Sequence, residues 1–264
     1  MNIKRKAPSA KYALSKYMVP AVDRAVSILM MLAGSDRGMT LAEIASATGW
    51  HKSSVHKILI TLDHHGFLDR DETTKRYTIG IELIRCGQAF LNRMLTNRSA
   101  KSLLRELADF SGETATLAIL RETKIVILDV VESPGEIRVS PPIGTMDPAT
   151  TKSNGKAVLA WLPEERVNGI LETEGLPEKT RNSITDVKLY RKDLAAIRKR
   201  GYAVDIEEFQ EGISAVSAPV FNSEGQVFGA LSIIGFAFRM TKEKLHLYGE
   251  KCAETAGRLL PLTR

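Results

Sequence analysis

Two cysteines in 264 residues, Cys86 and Cys252, are too few and too far apart for a disulfide framework. Both lie in apolar helical surroundings, so buried, reduced thiols are expected. No uninterrupted apolar run approaches the ~18 residues of a membrane span. The start, MNIKRKAPSAKYALSKY, is basic but has no apolar stretch behind it, so no secretory signal is expected. These absences point to a cytoplasmic protein. Enzyme signatures are missing as well. Asn154-Gly-Lys156 is no phosphate loop, because that motif needs a glycine where Thr150 stands and a hydroxyl where Ala157 stands. His51, His56, His64, His65 and His246 lack zinc-ligand spacing, and no cysteine pair accompanies them. No Gly-x-Ser-x-Gly elbow occurs. No catalytic group, metal or cofactor is expected.

What is present is ordinary bulk and an uneven charge. Hydrophobic residues make up 44% and charged residues 26%, usual for a globular protein, and the length favours two domains. The formal net charge is +6. Residues 1–79 hold 12 Lys+Arg against 7 Asp+Glu, or +5, which leaves +1 for residues 80–264. Such an excess suits a phosphate backbone, although a merely solvated basic surface gives the same count. Residues 1–19 carry five Lys/Arg and no acid. They read as a mobile basic arm, either adding weak phosphate contacts or without a role.

The stretch at residues 40–68, TLAEIASATGWHKSSVHKILITLDHHGFL, reads as two short helices around a tight turn. A helix over residues 20–33 precedes it, with Val22, Val26, Leu29 and Ala33, plus Ala25, Ile28 and Leu32, as a wide apolar stripe. Thr40 and Glu43 fit a capping box, in which hydroxyl and carboxylate satisfy exposed backbone donors reciprocally. Leu41, Ile44 and Ala45 face inward, and Gly49 allows the sharp turn. The next helix runs from about Lys52 to His65, with Val55, Ile58, Leu59 and Leu62 inward. Lys52, Ser53, Ser54, His56 and Lys57 are left outside its first turns. In a helix-turn-helix these positions meet bases and phosphates: short hydroxyls permit close approach, and lysine reaches guanine acceptors or phosphate oxygens. Residues 67–70 and 76–79 flank a polar turn and read as a hairpin wing, with Arg70, Lys75 and Arg76 beside the groove. A small helical protein-interaction domain is the alternative.

Residues 80–95 form a further helical pattern, with Ile81, Ile84, Leu91 and Leu95, and Leu83, Phe90 and Met94, as its apolar stripe. A boundary is drawn at Asn97-Arg98-Ser99. Beyond it, helices are expected over 101–110, 156–162, from Pro163 to about 172, over 189–200 and over 241–260. Strands are expected over 114–120, 124–131, 202–206, 213–221 and 227–236, and an edge strand at 137–139 is stopped by Pro141-Pro142. Hairpin-linked strands with flanking helices give an antiparallel α+β domain. Glu207, Glu208 and Glu211 read as a solvated loop, with Asp205 bordering a pocket.

Residues 20–80 resemble the winged helix-turn-helix of the IclR family of bacterial transcription regulators. The residues that carry this are Arg24-Ala-Val-Ser-Ile-Leu29, Thr40-Leu-Ala-Glu-Ile-Ala45, Thr48-Gly49, Lys52-Ser-Ser-Val55, Leu59 with Thr61-Leu62, and Arg76-Tyr-Thr-Ile-Gly80. His51 and Lys57 stand where the family often has proline and arginine. Lysine lacks arginine's planar fork, so base readout at Lys57 is expected to be either weaker or moved to phosphate. Further on, Ser111-Gly-Glu-Thr114, Gly144, Pro148, Gly155-Lys-Ala157 with Leu159-Ala160, Arg200-Gly-Tyr-Ala-Val-Asp205, Glu208, Gly212, Ala218-Pro-Val220 and Ala230-Leu-Ser232 resemble the family's GAF-like effector domain. The resemblance covers about residues 20–260.

The resemblance implies an arm at 1–19, a DNA-binding domain at 20–79, a linker helix at 80–97 that joins the domains and helps pair subunits, and an effector domain at 98–264. It implies a homodimer or dimer of dimers on a pseudo-palindromic double-stranded operator, controlling local catabolic genes. It places the effector pocket near Ser153, Asn154, Asp205, Ala215, Ser232 and Ile234. The serine and asparagine offer polar contacts, and backbone N–H groups at the Gly155 helix start are candidates to hold a carboxylate. Ala215 and Ile234 stand where some relatives have polar groups, so a small organic acid with an apolar body, aromatic or branched, is expected. The competing expectation is a metabolite-binding protein or enzyme whose N-terminal domain contacts proteins.

Overall fold

The computed structural model describes residues 17–94 and 99–259, the side chains of 90–94 and 99 excepted. Most of the basic arm, residues 97–98 of the expected boundary, the side chains of Phe90, Leu91, Met94 and Leu95, and the last expected helical position, 260, lie outside them. The chain divides into two compact units, Met1–Phe90 and Leu91–Arg264.

The first unit holds α1 (Pro20–Ala33), β1 (Met39–Thr40), α2 (Leu41–Thr48), α3 (Lys52–His64), β2 (Leu68–Arg70) and β3 (Arg76–Ile79), and the chain continues into α4 (Glu82–Met94). Pro20 sits in the first turn of α1, where its missing N–H has no helical partner to lose. Gly49 ends α2 at φ 69°, a left-handed backbone that a β-carbon resists, and this makes the turn into α3 short. Ile28, Leu32, Ile44, Ala45, Val55, Leu59, Leu68 and Tyr77 form the core. The wing has three strands in the order β1-β3-β2, one more than the sequence pattern gave. Met39 and Thr40 pair with Tyr77 and Arg76, and two residues are too few to show an alternating pattern.

The stripe expected on α1 divides. Ile28 and Leu32 are buried, whereas Val22 and Val26, with Met30 one turn further on, are more than half exposed. The helix has two apolar faces, and the small domain covers one of them. Ile81 and Ile84 at the start of α4 are also exposed, and so is Cys86, against the expectation of a buried thiol. Cys252 is buried, and burial pushes its thiol well above the usual range.

The second unit contains α5 (Ser99–Ser111), β4 (Thr114–Arg121), β5 (Lys124–Val131), β6 (Met146–Pro148), α6 (Ser153–Leu159), α7 (Glu164–Glu174), α8 (Val187–Arg200), β7 (Ala203–Ile206), β8 (Ile213–Phe221), β9 (Val227–Phe236) and α9 (Lys242–Gly257). Its strands form one antiparallel sheet in the order β6-β5-β4-β9-β8-β7. The fold is α+β, with the GAF-like sheet that the resemblance implied. One face, including Leu117, Val216, Ala218, Leu231 and Ile233, packs with Leu104 and Leu107 of α5 and Leu245 and Cys252 of α9. The other face, including Ala118, Ala203 and Ala230, packs with Val158 and Leu159 of α6, Ile170 of α7 and Tyr190 and Ile197 of α8. Alternation along each strand separates the two cores.

The edge strand expected at 137–139 is not formed. Residues 132–145 are irregular, and the edge is β6, whose Met146, Asp147 and Pro148 pair with Val126, Ile125 and Lys124. Pro148 tolerates this place because an edge residue need not donate outward. The helix expected over 156–162 starts earlier and ends at Leu159. Gly155 is required there: a β-carbon would stand 1.9 Å from the Ala149 carbonyl oxygen.

Candidate nucleic-acid interface and ligand cavity

The face of α3 follows from its sequence. Val55 and Leu59 are fully buried, so Lys52, Ser53, His56 and Lys57 are exposed around the first two turns. Ser54 is half-buried and accepts a hydrogen bond from Arg24 Nη1 at 3.1 Å. Arg24 also lies over the Trp50 ring, 5.3 Å from its centroid. It therefore braces α1 against the start of α3, a positioning role that pattern reading missed because the three residues meet only in the fold.

The capping box is formed. Thr40 Oγ1 accepts from Glu43 N at 3.3 Å, and Glu43 Oε2 accepts from Thr40 N at 2.7 Å. The same carboxylate receives both Arg76 guanidinium nitrogens at 3.0 and 2.9 Å, and Arg76 donates to the Gly38 carbonyl at 2.8 Å. The Thr40 backbone N–H, then Arg76, hold the Glu43 carboxyl below its usual range. Arg76, expected at the DNA backbone, thus ties the wing to α2. Lys75 lies 2.9 Å and Arg70 3.5 Å from the Glu72 carboxylate at the wing.

In the second unit, register brings three expected pocket residues together. Asp205 pairs with Ala215, and Ala215 with Ile234, side by side across β7, β8 and β9. They line a cavity of about 200 Å³, together with Val139, Lys152 and Phe209. Ser153, Asn154 and Ser232 do not line it. Ser217 and Ser232 face each other two residues further along the same strands, where α6 covers them. Ser153 Oγ lies 2.8 Å from Ser217 Oγ, which donates to Ser232 Oγ at 2.8 Å. Asn154 Oδ1 accepts from Gly155 N. The serine chain fastens α6 to the sheet, and the Asn154 contact stays within the helix. The Gly155 helix start is buried as well, which removes it as a carboxylate cradle.

Beside the cavity lies a charge network. The Lys156 side chain is 1% exposed. Its Nζ donates to both Glu208 oxygens at 2.7 and 2.8 Å and lies 2.9 Å from Asp193 Oδ2. Glu208 is therefore not on a solvated loop, as the sequence suggested. Burial lifts its carboxyl above the usual range, with Lys156 opposing. Asp205 is also raised by burial, against the pull of Lys156 and the Glu208 and Phe209 backbone N–H groups. The described residues hold no His/Cys/Asp/Glu cluster suited to a metal and no helix long and apolar enough to cross a membrane.

An exposed polar helix on a winged three-helix unit is followed by a sheet domain with a partly open cavity, the layout of a two-part regulator. Family models agree: residues 21–72 match the IclR helix-turn-helix domain, and residues 88–259 match the C-terminal part of the bacterial transcriptional regulator IclR. The HTH-type transcriptional regulator BhcR of Paracoccus denitrificans is 34% identical over 91% of this chain and 86% of its own. The transcriptional repressor IclR of Escherichia coli is 30% identical over 94% and 92%. The crystal structure of an IclR transcriptional regulator from Alicyclobacillus acidocaldarius superposes with a TM-score of 0.81 at 32% identity, covering 92% of this chain and 98% of that one. The chain belongs to the IclR family of bacterial transcriptional regulators. It is a regulator, not an enzyme, and the alternative of a metabolite-binding protein or enzyme with a protein-interaction N-terminal domain is not favoured.

Proposed function

We propose that the protein is a cytoplasmic, effector-controlled transcription regulator that reads a pseudo-palindromic operator near catabolic genes as a homodimer or dimer of dimers. The observation that carries this is the division of α3, where Val55 and Leu59 are fully buried while Lys52, Ser53, His56 and Lys57 stand free around the same turns. Ser54, braced by Arg24, sets the depth of approach, and Arg70 and Lys75 reach the backbone from the wing. Arg76 contributes by holding the wing in place. The uncovered stripe Val22, Val26 and Met30, with Ile81 and Ile84, supplies apolar surface for pairing subunits. A small organic acid with an apolar body occupies the cavity beside Asp205, Ala215 and Ile234, and favours one arrangement of the paired readers by binding it more tightly.

A mobility-shift assay on DNA flanking the protein's own gene tests the reading. Preference for that DNA over random sequence at physiological salt is expected, and a specificity ratio near one would refute it. Lys57→Ala should weaken binding by about 1–3 kcal/mol with altered base preference if Lys57 reads a base. A uniform loss, with the salt slope reduced by about 1, identifies a phosphate contact instead.

A further inference from the structure

The cavity wall contains a cation outside the expected pocket set. Lys152 immediately precedes α6 in extended conformation, and its side chain is 20% exposed. Its Nζ contacts Asp147 and lies 3.9 Å from the Phe209 ring centroid. An ammonium has three donors, so one carboxylate contact leaves capacity for a second acceptor. Lys156 is committed to Glu208 and Asp193, which leaves Lys152 as the cation lining the cavity. The opposite charge comes from Asp205, which is 5% exposed and whose Oδ1 is fixed by the Glu208 backbone N–H at 2.8 Å. Val139, Pro141, Phe209 and Ile234 supply the apolar remainder.

We propose that this cavity takes a small carboxylic acid that also carries a hydrogen-bond donor, a hydroxyl or an ammonium. Lys152 holds the carboxylate, Asp205 accepts from the donor, and Phe209 and Ile234 cover an apolar tail. This rests on the reading of the cavity as the effector site and names its ligand class. A plain monocarboxylate satisfies Lys152 but brings a second negative charge toward Asp205. A plain amine or amide offers no anion to the donors that Lys152 keeps free beyond Asp147. A molecule with both groups matches both walls, and each wrong partner is rejected by the group it leaves unmatched. The volume of about 200 Å³ lies below the ~300–1,000 Å³ of sites for drug-sized molecules, so the tail is short.

Titration calorimetry on the full chain tests the class with matched probes: 2-hydroxy-4-methylpentanoate, leucine, 4-methylpentanoate and 2-hydroxy-4-methylpentanamide, and the same four with phenyl in place of the isopropyl group. In at least one set, the hydroxy or amino acid should bind roughly 10-fold or more tighter than both its donor-free acid and its amide. Lys152→Met should abolish the preference for acid over amide, and Lys152→Arg should keep it, with thermal unfolding reporting that each variant is folded. Equal binding of the donor-free acid or the amide overturns the proposal, as does the absence of binding by every probe. If Lys152→Met leaves the preference intact while Ala215→Trp, which fills the cavity, abolishes binding, the anchor is wrong and the effector cavity stands. If Ala215→Trp changes nothing, the cavity itself is the wrong site.

Discussion

Among the described residues of the N-terminal unit, no charged residue and no serine, threonine, asparagine or glutamine is buried. In the C-terminal unit sixteen such residues are, and they include Glu113, Asp129, Lys156 and Asp205. The units solve opposite problems. A surface that meets a charged polymer must keep its polar groups in water until the polymer arrives, so the first unit has an apolar interior and a polar exterior. A site that encloses a small polar molecule must hold its polar groups inside beforehand, where each needs a partner. The second unit supplies partners for many of them in chains, Ser153–Ser217–Ser232, Asp193–Lys156–Glu208, and Arg239 with Glu113 at 2.7 and 2.8 Å, whereas the Thr150, Ser214 and Thr255 hydroxyls have none among the described residues. Losing a partner is therefore cheap at the surface of the first unit and costly inside the second, where it strands a buried charge.

The strongest way to break this contrast is Lys156→Met. Removing the shared cation leaves the Glu208 and Asp193 carboxylates facing each other in a largely desolvated site, and a loss of about 3–5 kcal/mol is expected. Chemical denaturation followed by circular dichroism measures it, and a loss below 1 kcal/mol would show that the network is incidental. Its counterpart in the reader is Thr40→Ala, which deletes the cap of α2 for about 1 kcal/mol. Because Glu43 also anchors Arg76, the wing should loosen as well, seen as faster amide exchange in residues 76–79. The smallest effect is expected from Asp205→Asn, and it should depend on pH. Burial raises the Asp205 carboxyl, so the wild-type contribution to stability is fully present below the ordinary aspartate range and is lost as pH rises through the raised value. The variant lacks this loss. Its melting temperature relative to wild type should therefore rise between pH 4 and pH 8, and a difference that stays constant would show that Asp205 does not titrate abnormally.

The sequence was most legible where structure is local. The Thr40–Glu43 box, the Gly49 turn, the α3 stripe and strands β8 and β9 depend on neighbours a few residues away, and they stand where periodicity placed them. What was missed depends on distant partners. Val22 and Val26 look like core because a helix with two apolar faces has the same periodicity as a helix with one broad face. Ile137–Val139 has the composition of a strand, but β5 already pairs with β6 along that edge. In the cavity, Asp205, Ala215 and Ile234 come together through register, whereas Ser153 and Asn154 are buried on α6 itself and Ser232 is buried beneath it. Which end of one sheet face stays open is set by the position of that short helix, and so is the placement of Lys152.

The strand order of the second unit has a consequence in time. Its two central strands, β4 and β9, pair Thr114 with Ile234, so the middle of the sheet cannot close until nearly the whole chain exists. Closing so long a loop costs entropy before any contact repays it, and folding slows accordingly. The reader needs only residues up to about 80. During synthesis from the N-terminus it is complete while the ribosome is still more than a hundred residues from β9. Each new molecule thus acquires a folded DNA-reading head before it has a closed sheet with which to answer a metabolite.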